Sequence, residues 1–362
     1  MAYTTIDDPS AFFQTALYTG NGGTLAVTND GNSDLQPDLV WAKSRTQGNS
    51  HVLFDVVRTF AGDKELQSNN TGAEGASDSA GYGYISAVGS DGFTAQAGST
   101  AGDYTNVNNQ SYVGWQWKAG TAVSGNTSGS GTAKAYSGSV NTDAGFSIIA
   151  YLGNGTAGHT IPHHLGVVPQ MIIVKERANA NSWYVYHHSL GNAKNLYLNT
   201  THAEQTDGVW NDTTPTSSVF SVSDANAINR NNGTTVAYCF AEKQGYSKFG
   251  TYLGNGNNDG TYIHLGFKPA FVMVKKVDAT ANWSLIDNKR DPFNVTYHFL
   301  EPNVVDDEFI PSSPQAAFDF CSQGFKCRSS NGAINSSGHT FLYMAFAENP
   351  FVTSTGVPAT AR

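Results

Sequence analysis

Residues 146–177 read FSIIAYLGNGTAGHTIPHHLGVVPQMIIVKER: an apolar run, a Gly-Asn-Gly turn, a second turn closing at Pro169, and another apolar run. The phrase occurs twice more. Tyr18-Thr-Gly-Asn-Gly22 leads to Pro37-Asp-Leu-Val-Trp-Ala-Lys43, and Tyr252-Leu-Gly-Asn-Gly256 leads to Pro269-Ala-Phe-Val-Met-Val-Lys275. The spacing is kept as well. Fourteen residues separate Pro37 from His51, Pro169 from Trp183 and Pro269 from Trp283, and Lys43, Lys175 and Lys275 each follow their proline by six. Recurrence of this kind marks one supersecondary unit used three times.

Working outward, each copy continues with short runs rich in Val, Ile, Tyr, Phe and Trp, which read as strands. Gly-Asn-Gly tolerates the positive φ of tight turns, and a proline at a strand head removes no ladder hydrogen bond. Composition agrees: 38 Gly, 12% aromatics and only 14% charged residues in 362 suit strands and turns rather than helices. The fold expected is all-β, with three repeated antiparallel β-sandwich modules of roughly 100 residues each. Repeat one takes residues 1–117 and is the expected docking module, repeat two 146–245, and repeat three 246–351, with a short tail at 352–362. The Gly/Ser/Thr-rich tract 118–145 has the composition of a flexible linker. Only Lys243–Tyr246 join repeats two and three, which are therefore expected to pack together.

Met171-Ile-Ile-Val174 and Phe271-Val-Met-Val274 are apolar on both faces, where a strand with one wet face would alternate. A loop, a neighbouring repeat or a neighbouring subunit must cover the second face. A homo-oligomer, with a trimer favoured, is the expectation.

Net charge is −9 with no basic patch, which disfavours nucleic acid as a partner. The start MAYTTIDDPSAFFQ lacks the basic and apolar regions of a signal peptide, and no window approaches a membrane span. Synthesis in the cytoplasm without membrane insertion is expected. Cys239 reads as a buried thiol, and Cys321 and Cys327 are expected to stay unpaired.

Gly153-Asn-Gly155-Thr-Ala-Gly158 fits the dinucleotide pattern, but no helix can follow it and its sister copies break it. Asn255-Gly-Asn-Asn-Asp259-Gly260 resembles half a calcium loop, yet Gly266 stands where the closing Glu belongs. No nucleophile elbow occurs. Asp55 and Asp287 share a repeat position that His187 fills in repeat two, so the site reads as structural, and Asp306-Asp-Glu308 reads as a solvated loop. No catalytic residue, no metal ligand and no cofactor is expected. The ligand-contact candidates are His163 and His164 in a turn, His188 closing a strand, and Trp210 in the polar loop Gly-Val-Trp-Asn-Asp. An exposed loop tryptophan stacks on sugar rings, whereas core anchoring is the plainer role.

The phrases IDDPSAFFQTALYTGNG, GFSIIAYLGNGTAGHTIPHHLG, PQMIIVKER, GYSKFGTYLGNG and MAFAENPF resemble virion-associated proteins of marine bacteriophages, of the tail-fibre-like or structural kind. The likeness runs from Ile6 to Phe351. It implies a β-rich, non-enzymatic virion protein in symmetric copies, a tail fibre or receptor-binding component. Its implied partners are other virion proteins and a host cell-surface glycan or outer-membrane protein. A capsid decoration or head-fibre protein is the alternative, and a polysaccharide depolymerase the remote one. The chain lacks a heptad shaft and a collagen-like stalk.

Overall fold

The computed structural model describes residues 3–309 and 317–359; residues 360–362 of the expected tail lie outside it. The chain is all-β, with α-helical turns only at Ser79–Tyr82 and Asn226–Asn229 among the described residues. Its ladders are antiparallel.

Repeat one forms a sheet in the spatial order Phe13–Thr19, Ser111–Trp117, Leu39–Ser44, Val52–Asp55, Leu66–Gln67. Repeat two keeps that order with Phe146–Leu152, Thr234–Phe240, Met171–Glu176, Tyr184–His187 and Leu196–Tyr197. Repeat three follows with Ser247–Leu253, Thr340–Pro350, Phe267–Lys276 and Trp283–Asp287. A three-stranded sheet lies against each large one. In repeat one it pairs Thr24–Val27, Phe93–Gln96 and Tyr84–Val88.

Burial explains the two-faced strands. Leu39 and Trp41, Met171 and Ile173, and Phe271 and Met273 all point into one cluster fed by the three large sheets. The alternate residues point the other way, each into its own small-sheet cluster: Val40 and Ala42, Ile172 and Val174, Val272 and Val274. The second apolar face is thus covered by the other repeats of the same chain. The feature that suggested a homo-oligomer is satisfied within one molecule, and all three repeats pack together, not only two and three.

The tract 118–145 is not a linker. Thr121–Asn126 and Ala135–Asn141 form a hairpin that widens the large sheet of repeat two at the Phe146–Leu152 edge. Composition hid an alternating pattern: Tyr136 and Val140 bury their side chains in the repeat-two cluster. A side chain at Gly138, between them, would strike the Ile148 carbonyl. Pro269 differs from its counterparts by lying inside its strand, where it sits at a register shift. A residue without an N–H is tolerated where the ladder is already interrupted.

Each Tyr-x-Gly-Asn-Gly phrase is a lock. The tyrosine hydroxyls of Tyr18, Tyr151 and Tyr252 donate to the carbonyls of Thr105 at 2.9 Å, Ile228 at 2.7 Å and Ile334 at 2.6 Å. The next residue along in each case, Asn106, Asn229 or Asn335, accepts the backbone N–H of Asn21, Asn154 or Asn255 at 2.8, 2.8 and 3.0 Å. The first glycine is needed because a Cβ would collide with a carbonyl of the locking loop. The second has φ of 72°, 70° and 68° at Gly22, Gly155 and Gly256.

Candidate functional site

The residues that recur between copies assemble at the seams between repeats. Asn69, Asn199 and Asn303 each accept the backbone N–H of the residue fourteen beyond the key proline, His51, Trp183 or Trp283, at 2.9 Å. Five residues later stand Glu74, Glu204 and Glu308. Their backbone N–H groups cross to the carbonyls of Arg177 at 2.8 Å, Val277 at 2.7 Å and Arg45 at 2.8 Å. The Trp183 indole donates to Gln67 O at 2.8 Å, and that of Trp283 to Tyr197 O at 2.9 Å. Lys175 and Lys275 reach Thr71 O at 3.1 Å and Thr201 O at 3.3 Å. Repeat two therefore holds repeat one, three holds two, and one holds three. The ring closes within the chain.

Two seams carry buried charge. Arg58 Nε meets Asp55 at 2.5 Å and its Nη1 meets Glu74 at 3.0 Å, while Arg177 takes the other Glu74 oxygen at 2.6 Å. Tyr238, from repeat two, donates to Asp55 at 2.7 Å. Between repeats three and one the same figure recurs: Arg290 with Asp287 at 2.6 Å and Glu308 at 3.1 Å, Arg45 with Glu308 at 2.7 Å, and the Trp115 indole on Asp287 at 3.0 Å. Glu308 is thus a seam residue, while Asp306 and Asp307 are exposed. At the third seam His187 and Leu190 stand in place of the Asp–Arg pair, and Glu204 pairs with Lys194 at 2.9 Å. The Asn-x4-Glu spacing (QSNNTGAE, YLNTTHAE, EPNVVDDE) was the sequence signal for these seams.

The ligand-contact candidates do not converge. Trp210 is 2% exposed and packs edge-on against Tyr186 in the repeat-two core, so it is not a sugar-stacking loop residue. His163 is buried, donates to Thr216 O at 3.0 Å and accepts from the Leu165 N–H at 3.2 Å. His164, at φ 60°, shares a hydrogen bond of 2.9 Å with the Tyr136 hydroxyl. His188 lies elsewhere, donating to Phe249 O at 3.2 Å across the seam with repeat three. Among the described residues no group of three or more His, Cys, Asp or Glu is arranged to hold a metal ion. In the calcium-like loop, Asp259 is ion-paired with Lys326. Cys239, Cys321 and Cys327 are all free thiols.

Among the described residues several clefts open on the surface, and three of them bear on the seams and loops. One of about 610 Å³ on repeat three is lined by Phe299, Phe309, Glu301, Asp306 and Asp307. Burial there raises the Glu301 carboxyl to about 7. A second, of about 410 Å³, lies between Val56 and Val57 of repeat one and the hairpin face at Ser124 and Ser137. The third, of about 350 Å³, runs between the first strand of repeat one and the Asn288–Lys289 turn of repeat three.

Residues 8–350 match the profile of a family described as "Domain of unknown function (DUF7483)". The chain belongs to the DUF7483 family. One domain profile covers all three repeats, in keeping with their shared core. No curated protein and no solved structure is similar to the chain. No helix among the described residues is long and apolar enough to cross a membrane.

The buried histidines make stability acid-sensitive. Burial holds His187 down at about 3 and His163 at about 4, and pushes His51 well below the usual range. In the unfolded chain each takes a proton near pH 6.5. Below that pH the unfolded state binds more protons, so stability falls as pH drops from about 6.5 towards 4, by ~1.4 kcal/mol per unit for each site. His298, held charged by Asp291, and the carboxyls of Glu301 and Asp38, raised by burial, oppose the trend and offset part of it. Urea midpoints between pH 7 and pH 4 should decline steadily; a flat profile would contradict the assignment of three neutral buried rings.

Proposed function

We propose that the chain is a non-enzymatic bacteriophage virion component, of tail-fibre or receptor-binding type, built from three copies of one β-sandwich module. The shared strand order of the three large sheets supports the module reading. The virion reading rests on the resemblance from Ile6 to Phe351. The observation that carries adhesion is how the recurring polar residues are used. The Asn locks brace the turns within each repeat, while the Glu backbone hydrogen bonds, the Arg45–Glu308 and Arg177–Glu74 pairs, and the bonds of Tyr238 and Trp115 to the two Asp–Arg pairs join neighbouring repeats. What differs between copies is left to loops on a rigid frame, the usual arrangement of recognition surfaces. The partners proposed are other virion proteins and a host cell-surface glycan or outer-membrane protein. A ring of three modules in one chain supplies the quasi-threefold form otherwise expected from a homotrimer. The same form suits a threefold docking position on a capsid, which is the second reading.

Fluorescently labelled full-length protein should decorate a permissive bacterial host, and antibody should label the tail of the intact particle. Signal spread over the head would favour decoration. Failure to bind any permissive host would overturn the adhesion reading.

A further inference from the structure

The cleft of about 350 Å³ between repeats one and three is lined differently from the one beside Val56 and Val57 at the seam of repeats one and two. Its floor holds Phe13 and Thr15. Thr15 stands opposite Trp115, where repeat two sets Ile148 opposite Tyr238 and repeat three sets Phe249 opposite Met344. Ile148 and Phe249 both fill the shared core. A threonine at that register position is smaller, and its Oγ1 is buried without a hydrogen-bond partner. A buried polar atom without a partner calls for an explanation, and a group bound beside it is one.

The walls are polar and balanced in charge. Asp30 on one side is paired with Lys289 on the other at 2.6 Å, and Glu348 is held by Lys268 at 3.0 Å. With each carboxylate matched to an ammonium, the cleft selects for neither cation nor anion. Asn32 of repeat one adds an amide at its rim, and Asn288 of repeat three donates to Glu348 at 2.7 Å. The wall of repeat one is fixed in place by Gln14, which donates to Ser10 O at 2.9 Å and Ser33 O at 2.7 Å and accepts from Gly31 N at 2.9 Å. Neutral hydroxyl groups, which donate and accept at once, match paired amides, carboxylates and an ammonium over an apolar floor. The size lies within the range of about 300–1,000 Å³ typical of small-ligand sites.

We infer that this inter-repeat cleft is a subsite for a neutral saccharide, with Thr15, Asp30, Asn32 and Lys289 as contacts. The inference deepens the adhesion reading and rests on it, and it places the recognition surface across the seam where the ring closes. The site exists only when repeats one and three are docked.

The test is a glycan microarray probed with labelled full-length protein, followed by titration with the best-bound neutral oligosaccharide. Thr15→Ile installs the residue that repeat two carries at this place, so the fold should tolerate it, and a melting curve checks that. Asn32→Ala changes an exposed rim residue and serves as the second variant. Both should weaken binding at least tenfold with unchanged melting. Equal affinity in wild type and both variants would overturn the cleft while leaving adhesion standing. Host-cell binding without binding to any neutral glycan would also overturn it. Loss of both would overturn the adhesion reading itself.

Discussion

Asp55→Ala should destabilise the chain by roughly 3 kcal/mol, towards the lower end for breaking a buried ion pair. The Arg58 side chain is fully buried and binds Asp55 through Nε and Glu74 through Nη1. Its other hydrogen bonds go to Lys64 O, Leu53 O and the Tyr238 hydroxyl. Deleting Asp55 leaves a guanidinium in the core with half its counter-charge and strips the Tyr238 hydroxyl of its acceptor. Retention of Glu74 keeps the loss from being larger. The third seam shows the remedy. There His187, Leu190 and Met344 occupy the places of Asp55, Arg58 and Tyr238. A triple change of Asp55→His, Arg58→Leu and Tyr238→Met should therefore cost less than Asp55→Ala alone, because exchanging a whole buried polar group for a packed apolar one is often near neutral. Urea denaturation at pH 7 measures both. A single variant within 1 kcal/mol of wild type, or a triple variant worse than the single, would show that the seam is not organised by this pair.

Trp117→Ala should cost about 3–5 kcal/mol, the usual range for deleting a large buried aromatic. The ring is 1% exposed and touches Phe13 at 5.0 Å, Phe240 at 6.5 Å, Phe271 at 5.8 Å and Phe346 at 5.7 Å between centroids. Those four belong to all three repeats. Beside them lies a void of about 10 Å³ lined only by apolar side chains and Tyr238, so the neighbourhood has little slack to refill the hole. Because one cluster serves three sheets, the loss should lower the stability of the whole chain and leave a single cooperative transition. Stepwise melting, with only repeat one shifted, would refute the shared core.

Much of the scaffold is legible from local chemistry. Gly-Asn-Gly marks turns because positive φ and close backbone approach select glycine wherever they occur. Met171-Ile-Ile-Val174 marks a doubly covered strand because side chains alternate with period two regardless of what covers them. The candidate site was less legible. Trp210 sits in a polar stretch, yet its ring turns inward onto Tyr186, and no period in Gly-Val-Trp-Asn-Asp reports that. The hairpin in 118–145 was masked by Gly, Ser and Thr, whose frequency says linker while the positions of Tyr136 and Val140 say strand.

The recurring phrases, the β character of the runs between them, and the need for cover on both faces of the central strands can be read from the sequence alone. These follow from neighbours a few residues apart, where periodicity and backbone sterics act. What supplies that cover, and which seams carry ion pairs, is settled by how the sheets dock. Apolar side chains gain the same from burial against a linked repeat as against a separate subunit, so the pattern cannot distinguish them. Contacts such as Tyr238 with Asp55 or Trp115 with Asp287 join positions 183 and 172 residues apart. No local period encodes them; the docking of whole sheets does.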